Sequence, residues 1–112
     1  MQAKPVQLIG PQELTASNAT YYTSPANKQT ILSKLTLTNV SSVAQTVDVH
    51  IVPSGGSADA TNRLISTKTL DTNEAWAAFP VEGQILQPGD SIQASAGAVD
   101  SILIMASGVE IY

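Results

Sequence analysis

The chain has 112 residues, a net charge of −4 and no cysteine, and only 12% of its residues are charged. This length fits one domain with a single core. Without cysteine, neither disulfides nor a thiolate metal site can reinforce that core. Because ordinary soluble domains carry about 25% charged residues, so low a share gives weak protection against association. The composition favours a component of an assembly, with an ordinary monomer that has a Ser/Thr-rich surface as the alternative.

The five cationic side chains are dispersed and outnumbered by nine acidic ones. Nucleic-acid binding needs clustered positive charge, so we expect no nucleic-acid partner. The N-terminus lacks the cationic start and apolar run of a signal peptide, and no apolar segment has the length of a membrane span. We therefore expect a protein made in the cytoplasm, with no membrane partner.

Residues 1–19 predict an extended arm. They contain two prolines, one glycine and a single brief apolar patch, Val6 to Ile9. Such a segment holds at most one short strand and needs a host surface. The predicted β-sandwich domain therefore covers residues 20–112.

Three β-prone runs follow the arm. Residues 20–23 form a short one, and residues 29–39 alternate with Ile31, Leu35 and Leu37 in one phase. Residues 46–52 alternate most clearly, with three branched apolar side chains on one face. This period of two predicts strands with one buried and one wet face.

The central part of the chain contains a loop and two further strands. Residues 53–62 are polar and glycine-rich, and no GK[ST] signal follows, so a nucleotide-binding loop is excluded. Residues 63–70 and 74–79 predict strands joined by a turn. Trp76 and Phe79 lie in opposite phases, so we expect one to fill the core and the other to lie at an edge or interface.

The C-terminal part is built around a proline-glycine turn. Residues 87–90, Gln-Pro-Gly-Asp, fit a type II turn between two strands. Residues 101–107 are apolar in both phases, which predicts a central strand, and Gly108 marks a possible bulge. The total is about eight short strands without helical periodicity. The predicted fold is all-β, a single antiparallel β-sandwich that is jelly-roll-like.

Residues with catalytic or metal-binding chemistry are sparse. His50 is the only histidine and shares the predicted wet face with Asp48. We expect a solvated or interface histidine, since an enzyme would need a pocket that combines it with acids. The aspartates of predicted loops are expected to bond nearby backbone amides. No cofactor, metal site or catalytic residue is predicted.

Four motifs in about the last 80 residues resemble small β-sandwich virion proteins of tailed bacteriophages. They are the loop Val52 to Ala58, Asn62 before the next strand, the turn Gly83 to Asp90, and the ending Ser107 to Glu110. The resemblance implies a capsid decoration or cement protein on the outside of the head, where it bridges major capsid subunits. It also implies contact with copies of itself, as a dimer or trimer at a capsid symmetry axis.

Two alternatives remain open at this stage. One is a tail, baseplate or head-fibre component, because the same sandwich serves as a docked module there. The other is a carbohydrate-binding module, in which aromatic side chains would stack on a sugar. For the virion reading, the candidate partner-interface residues are Pro5, Leu8, Ile9, Pro11, Tyr21, Tyr22, Gly55, Gly56, Trp76 and Tyr112.

Overall fold

The computed structural model describes residues 3–111, and all regular structure in that range is β-strand. No helix in this range could span a membrane. The nine strands in this range are one more than the eight or so expected, because the first lies in the segment predicted as an arm. The strands are β1 (Ala3–Glu13), β2 (Ala19–Thr23), β3 (Gln29–Asn39), β4 (Gln45–Val52), β5 (Arg63–Leu70), β6 (Ala75–Ala77), β7 (Ile85–Leu86), β8 (Ser91–Ala96) and β9 (Ile102–Ile111).

The strands pair in a nested order, always antiparallel. β4 pairs with β5, β3 with β6 and β7, β2 with β8, and β1 with β9. Successive pairs alternate between two sheets, because β9 also pairs with β3 and β8 also pairs with β4. Sheet A has the order β1-β9-β3-β6, with β7 beside β3, and sheet B has the order β2-β8-β4-β5. Nested antiparallel pairs of this kind, wound into two sheets, form a jelly roll, so the predicted fold class is confirmed.

Apolar side chains from both sheets meet in one core. Sheet A contributes Leu35 and Leu37, and sheet B contributes Val47, Val49 and Ile92, all almost completely buried. Burying one such side chain stabilises the fold by about 1.5–3 kcal/mol. With no disulfide available, this core is what holds the two sheets together.

At the start of β3, the side chains that point toward the core differ from the prediction. Leu32 is buried, whereas Ile31 points outward, although Leu35 and Leu37 are inward as expected. The cause is a register shift between Leu32 and Lys34, where one extra residue reverses the alternation.

A matching shift occurs in β1, on the other side of β9, between Gln7 and Ile9. Gly108 of β9 lies beside both shifts, and a Cβ there would clash with the Ile31 carbonyl oxygen. The predicted irregularity near Gly108 is therefore real, but the extra residues lie on the neighbouring strands.

The expected N-terminal arm is instead the first strand of the sandwich. β1 pairs with β9 from Ala3 to Glu13, and Leu8, Ile9 and Leu14 are buried in the core. The two register shifts in β1 break its period of two, so its apolar residues do not alternate in the sequence. Met1 and Gln2 lie outside the described residues.

Candidate interaction surfaces

Four apolar residues form a continuous row on the outer face of sheet A. Ile85 of β7 lies opposite Ile31 of β3, Ile31 opposite Val109 of β9, and Val109 opposite Pro5 of β1. Directly opposite residues of antiparallel strands point to the same face, so this apolar row crosses four strands. Ile85 is 55% exposed, although Ile31 and Val109 are half-buried by their neighbours.

β9 extends the apolar character along the same face. Its outward positions are Leu103, Met105, Ser107, Val109 and Ile111, of which only Ser107 is polar. Met105 is 42% exposed and lines an open depression of about 470 Å³ together with Pro5 and Val109. β9 lies between β1 and β3, as its two apolar phases predicted.

The outer face of sheet B is polar. Asp48 and His50 of β4 lie opposite Ser95 and Gln93 of β8, and all four point away from the core. Gln93 accepts a hydrogen bond from the Asn18 amide at 2.7 Å. This part of sheet B therefore carries polar outward side chains, and Gln93 is hydrogen-bonded within the chain.

The sequence predicted a solvated or an interface histidine at position 50, and the solvated alternative is wrong. His50 is only 6% exposed, and its Nε2 accepts a hydrogen bond from Arg63 Nε at 3.3 Å. Its Nδ1 has no partner among the described residues. Burial, reinforced by the Arg63 charge, lowers the pKa of His50, while Asp48 and Asp59 oppose that shift. A neutral structural histidine fits these surroundings better than a general base.

Several carboxylates accept hydrogen bonds from backbone amides. Asp90 accepts from the Gln87 amide at 2.9 Å and from the Ser54 amide at 3.0 Å, and Asp59 accepts from the Thr61 amide at 2.8 Å. These bonds confirm the role expected of loop aspartates, and the Thr61 contacts lower the pKa of Asp59. No group of three potential metal ligands occurs within residues 3–111.

The hydroxyls of the two candidate tyrosines both form hydrogen bonds within the chain. Tyr21 accepts a hydrogen bond from the Thr15 amide at 3.0 Å. Tyr22 donates to Glu110 Oε2 at 2.8 Å and lies 2.9 Å from the Thr30 hydroxyl, which joins sheet B to sheet A. Burial, with a further contribution from Glu110, raises the pKa of Tyr22 to about 12.

Trp76 lies on β6, whereas Phe79 lies in the turn after it, because the strand predicted over residues 74–79 ends at Ala77. Trp76 is half-buried against the core, whereas Phe79 is 71% exposed. The Lys68 ammonium lies 5.0 Å from the centre of the Trp76 ring, and Phe79 meets that ring edge-on at 6.5 Å. Because Lys68 already covers Trp76, this ring is a poor platform for a sugar.

The predicted interface residues that lie within residues 3–111 are spread over β1, β2, β6 and the loop between β4 and β5. Leu8 and Ile9 are buried, so their side chains cannot contact a partner while β1 stays in the sheet. Pro11 is exposed on β1, and Gly55 and Gly56 are exposed in the loop between β4 and β5. Tyr112 lies outside the described residues.

Of the nine that the structure describes, Pro5 belongs to the apolar row and the others do not. The other members of the row, Ile31, Val109 and Ile85, were not among the predicted residues.

No family model and no curated protein matches this chain. Its fold is similar to that of chains in structures of infectious bursal disease virus. For a chain of the Gx strain structure the TM-score is 0.50 at 11% identity, and for a chain of the T13 viral particle it is 0.51 at 8% identity. Each likeness covers 97% of this chain, which spans 32% and 30% of those chains, about a third. At such low identity the likeness shows a shared β-sandwich fold.

Proposed function

We propose that this chain is a non-enzymatic structural protein of a virion, a decoration protein that binds the outside of a tailed-phage head and bridges major capsid subunits. The observation that carries the proposal is the fold: 97% of the chain corresponds to part of a chain in an icosahedral viral particle. The loop and turn motifs from Val52 to Ala58 and from Gly83 to Asp90 add the resemblance to phage virion proteins.

The surface chemistry supports a role in assembly. Few side chains are charged, and several carboxylates are tied to backbone amides. At the same time large apolar side chains, including Ile85, Met105 and Phe79, remain exposed. Such a surface favours contact with protein neighbours. Many copies bound around a shell would raise the free energy needed to open it, even if each contact were weak.

Copy number per particle tests the proposal. Particles purified from the source of this chain would be analysed by quantitative mass spectrometry and by immunogold labelling. A decoration protein is expected at on the order of hundreds of copies, with label on the head. About a dozen copies or fewer, with label on the tail or a single vertex, would support a tail, baseplate or fibre component instead. Absence from the particles would contradict a virion role.

A second experiment tests the stabilising role. Heads that lack the chain would be incubated with the purified protein and heated until they release their contents. Bound decoration protein should raise the release temperature in a concentration-dependent way, because it binds only the closed shell. An unchanged release temperature at saturating protein would contradict the cement role, even if the chain is abundant in particles.

A further inference from the structure

We propose that the outer face of sheet A binds a second copy of this chain, forming a face-to-face homodimer through the apolar row Pro5, Val109, Ile31 and Ile85. This inference goes beyond the proposed function and does not depend on it, since it concerns the purified chain in solution.

The first argument is the apolar character of β9 on both faces. An antiparallel sheet with one wet face alternates between apolar and polar residues. β9 instead has Leu103, Met105, Val109 and Ile111 at outward positions. The core covers only its inward side chains, so the outward ones leave an apolar surface that water solvates poorly.

The second argument is the charge of this face. By register, the outward positions of the described strands of sheet A include one cation, Lys34, and one acid, Glu13. A two-fold interface places the same surface on both partners, so a strongly charged face would repel its copy. A face with one charge of each sign avoids that repulsion. A charged partner would find little complementary charge on it.

The third argument is area. The molecule measures 45 × 26 × 19 Å. A stable interface buries about 800 Å² on each partner. A long side of a molecule with these dimensions is large enough to supply that area, so size allows a homodimer.

The edges of sheet A are also poorly suited to strand addition. β1 contains Pro5, Pro11 and two register shifts, and β6 at the opposite edge has three residues. Proline, bulges and short length all protect an edge strand from pairing with another chain. Association is therefore expected through the face.

The test compares two single substitutions by sedimentation velocity over a range of concentrations. Ile85→Glu changes the apolar row, whereas Val99→Glu changes a side chain of similar exposure, 60%, in the loop between β8 and β9. The wild-type chain is expected to dimerise. Ile85→Glu should raise the dimer Kd by at least about tenfold, because it buries an unpaired carboxylate in both copies. Val99→Glu should leave the Kd unchanged.

Met105→Glu provides a second variant on the same face if Ile85→Glu fails to fold, which thermal unfolding followed by circular dichroism would reveal. A wild-type chain that stays monomeric at every concentration would overturn the proposal. So would loss of the dimer in Val99→Glu but not in the variants of sheet A. If the wild type is monomeric and Ile85→Glu weakens binding to heads, the face docks on the shell and the homodimer is also overturned. If the chain dimerises in solution but is absent from virions, the proposed function is contradicted and the homodimer is not.

Discussion

The outer faces of the two sheets differ sharply, although both sheets pack against the same core. On sheet A, the apolar row and Met105 leave apolar area exposed across four strands. On sheet B, Asp48, His50 and Gln93 form hydrogen bonds over the equivalent positions. Both sheets must bury apolar side chains on their inner faces, so the need for a core does not explain why their outer faces differ. This contrast is the one expected if a protein partner covers the outer face of sheet A and none covers that of sheet B.

The largest loss of stability is expected for a substitution of Gly108, which lies beneath the apolar outer face of sheet A. Gly108→Val places a side chain against the Ile31 carbonyl and the Leu8 side chain, where the backbone of β3 must move. We expect a loss of about 3 kcal/mol or more in the free energy of unfolding, measured by urea denaturation. Gly10→Ala is the control, because a Cβ there meets only the Gln7 side chain at 3.9 Å. Equal stability of the two variants would show that β3 and β9 are not packed this closely.

The next effect concerns the contact between the sheets. Tyr22→Phe removes the hydroxyl that donates to Glu110 and contacts Thr30, so we expect a loss of about 1.5–3 kcal/mol in chemical denaturation. Tyr21→Phe is the matched control, since it loses an exposed bond to the Thr15 amide and should cost about 1 kcal/mol or less. A larger loss for Tyr21→Phe would contradict the role of Tyr22 as the link between sheets.

On sheet B, the stability of the fold should depend on pH through His50. Because burial and Arg63 lower its pKa in the folded state, the unfolded chain binds the proton more readily. Stability is therefore fully present above the ordinary histidine pKa of 6.5 and falls as the pH drops below it. Thermal unfolding of wild type and His50→Gln between pH 7.5 and pH 5 measures this. An equal pH dependence in both proteins would show that it does not arise from His50.

The smallest effect is expected at Phe79. Phe79→Ala removes the edge-on contact with Trp76, an aromatic pair worth about 0.5–1.5 kcal/mol beyond burial, but the ring is 71% exposed. We expect a loss near the lower end of that range in urea denaturation. The dimer Kd should not change, because Phe79 lies outside the apolar row. Weaker dimerisation of Phe79→Ala would show that the dimer interface also includes the segment between β6 and β7.

Much of the fold could be predicted because strands and turns leave local signals. The alternation in residues 46–49 and the turn at residues 87–90 both correspond to the structure, and Gly89 has the positive φ of 88° that the turn requires. Residues 1–19 were predicted as an arm with at most one short strand, because the register shifts of β1 hide the period of two. The strand expected before the turn is reduced to the two residues of β7, too few to show any period.

The candidate surface could be predicted only in small part. The apolar row depends on register across four strands, which join residues as distant in the sequence as Pro5 and Val109. A single sequence gives the phase of each strand, but not which residues lie opposite one another. The burial of His50 depends in the same way on Arg63, which reaches it from the neighbouring strand.

Oxidation of Met105 by dilute hydrogen peroxide, followed by mass spectrometry, tests most directly whether the outer face of sheet A is covered. Met105 is 42% exposed in the single chain, and exposure governs how fast methionine becomes its sulfoxide. In concentrated wild-type protein, Met105 should oxidise slowly, and Ile85→Glu should restore fast oxidation. Fast oxidation in the wild type, equal to that of Ile85→Glu at every concentration, would show that this face stays open to water.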